Sequence, residues 1–414
     1  MPPIILFEDE GFRDLLPLVF WRSVFELRVG RKIILDRVAQ CFGAPIAGVW
    51  TRDWIARVAG QRCGAPANLP LKNPSILVNG RWICDPPVEL PAEPCVARTA
   101  DGGVAFILCD EKLAARLRPS DLIDPARRDA LLRGLPQRRA PGRMLCRAWE
   151  LIEHLPQLLS AEWNPEEACI NSDVDKKVVV DAERVHVGER VRIHGSAVLD
   201  AREGPVFVSD DVEIGPCAVI EGPAYIGPGA KVNPHAWLHG GNAIGPVCKI
   251  GGEVCGCIIS GYSNKQHHGF LGHSCVGSWV NIGAGATNSN LKNTYGTVRV
   301  PINGRTIDSG LQFFGAIIAD HAKIGINAAI PTGAVIGFSA SVAATGPIPK
   351  YVPSFGWITG DSTSPGDHLR ALDVATAVMA RRKVDMTDEE IELFLDLGQR
   401  VREFEIGPSV LDNS

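Results

Sequence analysis

The sequence predicts an α/β domain at the N-terminus, a parallel β-helix in the middle and helices at the C-terminus. Short apolar strands alternate with helical segments in the first third, aliphatic residues recur at every sixth position in the middle, and a helix-capping pattern lies near the end. We therefore divide the chain into an N-terminal domain (1–143), a connection with a linker helix (144–180), a β-helix (181–350) and a helical tail (351–414).

Composition narrows the function classes. The 414 residues include 42 Lys and Arg against 47 Asp and Glu, a net charge of −5, which lacks the basic surplus of a general nucleic-acid binder. No apolar run approaches the ~20 residues that span a bilayer, and no basic region precedes the first apolar segment. We therefore expect a cytoplasmic protein that binds neither nucleic acid nor membrane. Its 12 irregularly spaced Cys suit reduced thiols.

The N-terminal domain begins with the apolar strand 4–7, followed by a polar loop, a helix around 33–35 and strands near 75–78 and 103–108. Ligands of such α/β sheets bind beyond the carboxyl ends of the strands. Arg13, Arg22 and Arg28 follow the first strand, where guanidinium groups could clamp a triphosphate.

The β-helix prediction depends on a six-residue period. Eight consecutive steps from position 208 are aliphatic: Val208, Ile214, Ile220, Ile226, Val232, Leu238, Ile244 and Ile250. This period fits neither a helix nor a simple strand, but it fits a chain that turns a corner every six residues, so that three edges close one triangular coil. Eighteen such hexapeptides predict about six coils.

The period breaks twice, between 250 and 276 and between 282 and 318, and solenoids place insertions on a functional face. The first break contains three of the ten His. A neutral His could deprotonate an amine or hydroxyl as a general base. A metal site, or imidazoles that only hydrogen-bond a loop, are the alternatives.

Residues 265–290 resemble the acetyltransferase centre of the bacterial bifunctional N-acetylglucosamine-1-phosphate uridylyltransferase/glucosamine-1-phosphate N-acetyltransferase family. The residues that match its pattern without a gap are His267, Leu271-Gly272, Val276-Gly277, Asn281-Ile282-Gly283-Ala284-Gly285 and Asn290. The resemblance implies a left-handed β-helix, a homotrimer, and acetyl-CoA bound between chains near Ala316, Ala334 and Lys350.

The resemblance also implies roles for single residues. His267 corresponds to the catalytic base, with His268 as its competitor, and Glu253 falls at the place of a supporting carboxylate. Asn281 and Asn290 correspond to polar residues of the sugar-phosphate and base-orienting site. The remaining positions concern substrate binding: Phe270 stands where the family has Tyr, Cys255 stands where it has a substrate-binding Lys, and Lys265 and Lys292 are nearby cations that could replace the lost phosphate contacts.

The N-terminal domain resembles a divergent sugar nucleotidyltransferase domain of the kind fused to such β-helices, through its order of strand, polar loop, Arg and Val-Gly-x-x-x-Ile. The family's glycine-rich loop is replaced by residues 7–11. Asn79 and Arg81 stand where the family holds Mg²⁺, and we include them among the nucleotide contacts. Asp85 and Asp110 are candidate replacements for the metal ligands, which the sequence leaves unknown.

These patterns favour an enzyme that acetylates an amino-sugar 1-phosphate, glucosamine 1-phosphate first, with acetyl-CoA and joins the sugar 1-phosphate to a nucleotide from UTP with Mg²⁺. One alternative is a nucleotidyltransferase that uses the β-helix only as an oligomerisation scaffold. Another is a non-catalytic trimeric sensor of sugar nucleotides.

The connection and the tail are predicted to be helical. Apolar residues at helical spacing follow residue 144, and Pro156 ends or kinks that helix. In the tail, Thr387 and Glu390 form a capping box before an apolar stripe. The basic run 381–383 is typical of a solvated helix end.

Overall fold

The computed structural model describes residues 1–84, 88, 90–175, 178–360 and 362–405. The chain forms two compact units, one of residues 1–147 with 387–397 and one of residues 148–386 with 398–414. Among the described residues, no helix has the length and hydropathy needed to cross a membrane.

The first unit is built on a mixed sheet of six strands. In spatial order these are Ile46–Trp50, Ile4–Phe7, Ser75–Asn79, Val104–Cys109, Cys95–Arg98 and Gln137–Arg139. The first three are parallel, so the loops that follow them meet at one edge of the sheet. The central strands are buried along their whole length, which explains their continuous apolar runs.

Short helices and ribbons complete the first unit. The α-helices are Ile34–Phe42, Ala56–Cys63, Glu111–Arg116, Pro119–Ile123 and Pro125–Leu132. The 3-10 helices are Glu10–Leu15, Val24–Glu26 and Asp53–Ile55. Two antiparallel ribbons pair Arg28–Val29 with Lys32–Ile33 and Trp82–Ile83 with Arg143–Met144. Gly43 and Gly64 end the first two helices in the left-handed conformation, which glycine adopts without strain.

The second unit is a parallel β-helix with three faces, which the chain visits in the order one, two, three. Face one has ten strands: Cys169–Ile170, Val185–Val187, Val206–Val208, Ala224–Ile226, Asn242–Ile244, Ile258–Ile259, Cys275–Val276, Ala316–Ile318, Ala334–Ile336 and Tyr351–Val352. Aliphatic side chains from all three faces point inward and form one continuous buried core. The predicted fold class is therefore confirmed.

The other two faces follow the same stacking. Face two contains Arg192–Ile193, Glu213–Ile214, Lys231–Val232, Lys249–Ile250, Asn264–Lys265, Asn281–Ile282, Lys323–Ile324, Ser341–Ala343 and Gly356–Thr359, with Ser362–Pro365 added antiparallel. Face three contains Val179–Val180, Val198–Asp200, Val219–Glu221, Trp237–Leu238, Glu253–Cys255 and Phe270–Gly272, followed by Thr287–Asn288, Ala328–Ile330 and Gly346–Pro347.

The prediction of about six coils was too low. Face one alone stacks ten strands, so the solenoid is longer. The first break in the period is not a loop: the chain keeps winding through Glu253–Cys255, Ile258–Ile259, Asn264–Lys265 and Phe270–Gly272 with shorter corners. The second break is an insertion, since residues 289–315 leave the coil and carry the antiparallel hairpin Arg299–Ile302 with Arg305–Asp308.

Helices flank the β-helix in sequence. The connection contains Glu150–Glu153 and Leu155–Ala161, with Pro156 in the first turn of the second helix, where its missing N–H costs nothing. The tail contains His368–Ala380 and Asp388–Phe404. The predicted capping box is present, because Glu390 N donates to Thr387 Oγ1 at 3.2 Å and Thr387 N donates to Glu390 Oε2 at 3.1 Å.

Glu405, just beyond the last helix, makes stability depend on pH. Ser354 donates to its carboxylate through N (2.7 Å) and Oγ (2.5 Å), while burial raises the pKa of Glu405 from 4.5 to about 7. The folded state therefore holds this proton to a higher pH than the unfolded chain. Stability should fall by about 3 kcal/mol as the pH rises from 4.5 through 7.

Urea unfolding of the wild-type chain and of Glu405→Gln, at about pH 5 and about pH 8, checks this expectation. The variant should lose much less stability than the wild type between the two conditions, because its amide does not titrate. The same pH dependence in both proteins would show that another group is responsible.

Candidate functional site

Two of the predicted residues, His267 and His268, lie at the corner between face two and face three, and both are exposed. The neighbouring coils carry glycine at this corner. A Cβ at Gly252 would lie 2.7 Å from the carbonyl oxygen of His267, and one at Gly285 would lie 3.3 Å from His268 Nε2. Because these glycines have no side chain, the backbones of three successive coils can approach each other closely at this corner. The two imidazoles remain exposed to solvent.

Lys265 is not a substrate contact, contrary to the sequence prediction. Its side chain points into the coil, in register with Ile250, and only 2% of the residue is exposed. The ammonium donates to the carbonyl oxygens of Gly251 (2.8 Å), His267 (2.7 Å) and Gly269 (2.7 Å). Its three protons thus hold the histidine corner against the preceding coil, although burial lowers the pKa of Lys265 to about 8.

The substitution Lys265→Met should lower the free energy of unfolding by about 1–3 kcal/mol, because it keeps the stem but leaves three carbonyl oxygens without their donor. Thermal or urea unfolding measures the loss, and Lys231→Met, on the outer surface of face two, is the matched control. Equal stability of both variants would contradict the bracing role.

Asn288 is a second polar residue at an inward position, in register with Ile330. Its Oδ1 accepts from Gly272 N at 2.7 Å and its Nδ2 donates to Gly272 O at 2.9 Å. The side-chain amide therefore takes the place of a strand partner for Gly272. Lys265 in the first break and Asn288 in the second thus occupy inward positions where the period would place an aliphatic residue.

Glu253 belongs to a hydrogen-bonded ladder on the outer surface of face three. Its Oε1 lies 3.1 Å from His239 Nε2, and His239 Nδ1 lies 3.2 Å from Glu221 Oε2. Trp237 Nε1 donates to Glu221 at 2.9 Å, and Phe270 pairs directly with Glu253 in the next coil. Sequence reasoning missed His239, Trp237 and Glu221, although the first two lie about one coil before Glu253 and Glu221 lies two coils before it, a spacing that could have indicated them.

Asn290 lies at the other edge of face three and contacts a histidine that the prediction did not single out. Its Nδ2 is 2.8 Å from His273 Nδ1, and the His273 ring lies 5.6 Å from that of Phe313. Burial lowers the pKa of His273 below its usual value, which favours the neutral imidazole. Within one chain, Asn290 is therefore a partner of His273, separated from His267 by the strand Phe270–Gly272.

The remaining predicted β-helix residues lie apart from the histidine corner. Asn281 is exposed on face two, in register with Asn264. Lys292 lies in the insertion, where its Nζ donates to Thr297 O at 3.1 Å. Lys292 and Arg299 also help lower the pKa of Lys350, after burial as the main cause, so these cations are neighbours.

Two of the residues that mark the predicted acetyl-CoA position have inward side chains. Ala316 and Ala334 are fully buried, at 0% exposure, and belong to the core of the coil. Their side chains are therefore not candidate contacts, and the placement of acetyl-CoA between chains near these coils stays a prediction. Lys350 is exposed and stays a candidate contact.

In the first unit, Asn79 and Arg81 lie at the carboxyl end of the parallel strands, but they are engaged with Asp9. Arg81 pairs with the Asp9 carboxylate through Nε (2.6 Å) and Nη2 (2.7 Å), and Asn79 Nδ2 donates to it at 2.7 Å. Burial opposes the charge, yet Arg81 and Asn79 hold the pKa of Asp9 below its usual value. The structure thus contradicts their prediction as free nucleotide contacts.

The acidic residues on either side of Asp9 are paired too. Glu8 is buried with Arg52 (3.2 Å), whose guanidinium lies 4.6 Å from the Phe12 ring centre. Glu10 pairs with Arg128, at 3.0 Å for one of two contacts. The loop that replaces the glycine-rich phosphate loop is therefore filled by internal ion pairs.

The three predicted arginines after the first strand have separate surroundings. Arg13 is exposed, with its guanidinium 5.7 Å from the Phe12 ring centre. The carbonyl of Arg22 accepts from Arg52 Nη2 at 2.9 Å. The guanidinium of Arg28 donates to the carbonyl of Arg31.

The structure gives no metal role to the two candidate Mg²⁺ ligands named from the sequence. Asp110 caps the helix Glu111–Arg116 by accepting from Leu113 N at 2.8 Å, and Asp85 lies outside the described residues. Across the described part of the chain, no three His, Cys, Asp or Glu side chains gather as a metal site.

Comparisons with known proteins give a family match in the N-terminal part of the chain and similarity to two bifunctional proteins. Residues 4–165 match the family model described as sugar nucleotidyl transferase. The chain is 36% identical over 90 residues to a bifunctional sugar-1-phosphate nucleotidylyltransferase/acetyltransferase of Sulfurisphaera tokodaii, and 30% identical over 92 residues to the bifunctional protein GlmU of Methanococcus vannielii. Each match covers 22% of this chain and 22% of the relative, so the chain spans about a fifth of the length of the curated relatives it matches.

Among solved structures, this chain is similar to LpxA, a UDP-N-acetylglucosamine acyltransferase from Bacteroides fragilis. The match includes 53% of this chain and 98% of the LpxA chain, at 14% identity and a TM-score of 0.19. The β-helix assignment therefore depends on the strand registers of this chain. The resemblance predicted from the sequence is confirmed: residues 4–165 match the sugar nucleotidyl transferase family model, and the chain is similar to bifunctional nucleotidylyltransferase/acetyltransferases over about 90 residues.

Proposed function

We propose that the β-helix transfers the acetyl group of acetyl-CoA to the amine of an amino-sugar 1-phosphate, glucosamine 1-phosphate first, with His267 as the general base. The observation that carries this proposal is the histidine corner. The imidazole of His267 is exposed, and the backbone beneath it is held by the Lys265 ammonium, which donates to three backbone carbonyl oxygens. Glu253 lies one coil away. Rigid backbone beneath a free imidazole suits proton transfer, which needs fixed geometry.

The chemistry follows from these groups. The imidazole of His267 takes a proton from the sugar amine as the amine nitrogen attacks the thioester carbonyl. The C–S bond then breaks, and the imidazolium returns the proton to the departing sulfur, so that coenzyme A leaves as the thiol. Glu253 and Phe270, which pair across adjacent strands beside the corner, would contact the sugar. His268, on the same corner, is the competing base.

The test is a screen of amino-sugar phosphates with acetyl-CoA, followed by release of the thiol. Glucosamine 1-phosphate should react, whereas N-acetylglucosamine 1-phosphate, which lacks a free amine, should not. Two outcomes would contradict the proposal and favour the scaffold alternative: thiol release at the same rate with and without sugar, or no thiol release with any sugar tested.

We propose nucleotidyl transfer from UTP to the sugar 1-phosphate as the second activity, supported by the family match over residues 4–165. Asp9, Arg81 and Asn79 would then support the sheet edge, while exposed Arg13 and half-buried Arg22 would contact phosphates. The name of one relative combines a sugar-1-phosphate nucleotidylyltransferase and an acetyltransferase, which supports two activities in this chain. We further propose a cytoplasmic homotrimer.

Pyrophosphate release from UTP and N-acetylglucosamine 1-phosphate tests the second activity. The substitution Arg22→Ala should lower it about 10-fold or more, because a charge-assisted hydrogen bond is lost. If the wild-type chain releases no pyrophosphate with any nucleotide, the first unit is a binding domain and the sensor alternative gains support.

A further inference from the structure

A cavity of about 190 Å³ lies within the second unit, between face two and the end of the helix His368–Ala380. Its lining contains three cations, three amides and one valine, with no carboxylate: Lys249, Arg381, Arg382, Asn264, Gln266, Asn281 and Val378. Gln266 is the residue before His267, so the cavity adjoins the histidine corner.

The strand register builds the floor of this cavity. Lys249, Asn264 and Asn281 occupy the same outward position on three successive coils of face two. From the helix side, Arg382 Nη2 donates to Asn264 Oδ1 at 2.6 Å. This bond directs a guanidinium toward a row of amide groups, although the basic run 381–383 was expected to be a solvated helix end.

The positive charge of the cavity has no acidic partner among the described residues. Lys231, one coil earlier, pairs with Glu213 at 2.8 Å, whereas no ion pair within the described part of the chain includes Lys249, Arg381 or Arg382. Burial lowers the pKa of Lys249, and the charges of Arg382, Lys231 and Arg381 lower it further. Gathering like charges is unfavourable unless an anion offsets them.

We propose that this cavity is a binding site for a phosphate group, held by Lys249, Arg381 and Arg382. Guanidinium and ammonium groups bind phosphate oxygens through charge-assisted hydrogen bonds, and amide N–H groups supply further donors. The inference rests on the proposed function for its ligand: the phosphate of the acceptor sugar, beside His267. The phosphates of coenzyme A are the other source of the same chemistry.

Direct binding tests the site without requiring catalysis. Calorimetric titration of glucosamine 1-phosphate, inorganic phosphate and coenzyme A into the wild-type chain, Arg382→Gln and Lys249→Gln compares the two sources. Each substitution should weaken phosphate and sugar-phosphate binding about 10- to 100-fold, the effect of one lost hydrogen bond to a charged group. Arg382→Lys, which keeps the charge, should lose less.

The control is Arg370→Gln, on the same helix but outside this cavity, where the guanidinium is exposed and pairs with Asp367. It should bind all three ligands as the wild type does, and unfolding should show that every variant is folded. If coenzyme A alone binds more weakly to Arg382→Gln and Lys249→Gln, the site is a phosphate site for coenzyme A. Unchanged binding of all three ligands would overturn the proposal.

The readout also separates this inference from the proposed function. A wild-type chain that binds phosphate through Arg382 but acetylates no sugar keeps the anion site and loses the acetyltransferase assignment. A chain that acetylates glucosamine 1-phosphate with the same KM in Arg382→Gln as in the wild type keeps the activity and loses the anion site.

Discussion

The substitution His267→Ala should lower kcat for acetyl transfer to glucosamine 1-phosphate by about 10²–10⁴-fold, the usual contribution of a general base. The effect should fall on chemistry rather than folding, since the imidazole is exposed and the corner backbone is held by Lys265. Thiol release under saturating acetyl-CoA measures kcat, and urea unfolding shows that stability is retained.

Two neighbouring histidines supply the controls. His268→Ala removes the competing imidazole from the same corner and should reduce kcat much less than His267→Ala. His273→Ala removes the partner of Asn290 at the opposite edge of face three. If His268→Ala causes the larger loss, the base is His268, and the assignment of His267 is wrong.

The substitution Arg81→Ala should lower the free energy of unfolding of the first unit by about 3–5 kcal/mol, because it leaves the Asp9 carboxylate buried without its partner. Asp9 is 3% exposed and Arg81 is 9% exposed, so water cannot replace the lost contacts easily. Urea unfolding of the full chain should show the transition of the first unit at a lower urea concentration.

Removing both charges distinguishes the loss of the ion pair itself from the cost of burying an unpaired carboxylate. The double substitution Asp9→Leu with Arg81→Met should cost much less than Arg81→Ala alone, because no uncompensated charge stays buried. Asp211→Asn removes the charge from the exposed pair with Arg190, at a left-handed backbone position that Asn tolerates, and should leave stability nearly unchanged. A loss equally small for Arg81→Ala would show that the Asp9 pair does not stabilise this loop.

The β-helix could be predicted because its core repeats every six residues, and a periodic signal survives single exceptions. The regular coils of the first break were not predictable because Lys265 replaces an inward aliphatic and several corners are shorter, and Asn288 replaces another inward aliphatic in the second break. Only the structure shows that their polar atoms bond to carbonyl and amide groups of the coil. A polar residue with such partners resembles a surface residue in sequence.

The candidate site was predictable only where local sequence determines geometry. The corner position of His267 follows from the coil, whereas the pairing of Asn290 with His273 depends on how face three ends. The contact between Arg382 and Asn264 joins residues 118 positions apart, and no local pattern encodes it. The internal ion pairs of Glu8, Asp9 and Glu10 were missed for the same reason.

The most direct measurement is the fate of isotopically labelled acetyl-CoA incubated with glucosamine 1-phosphate and the full chain. We expect the label in the amide of N-acetylglucosamine 1-phosphate with the wild type, and almost none over the same time with His267→Ala. Label that stays in acetyl-CoA with the wild type, or equal amide formation by both proteins, would contradict the assignment of the histidine corner as an acetyltransferase centre.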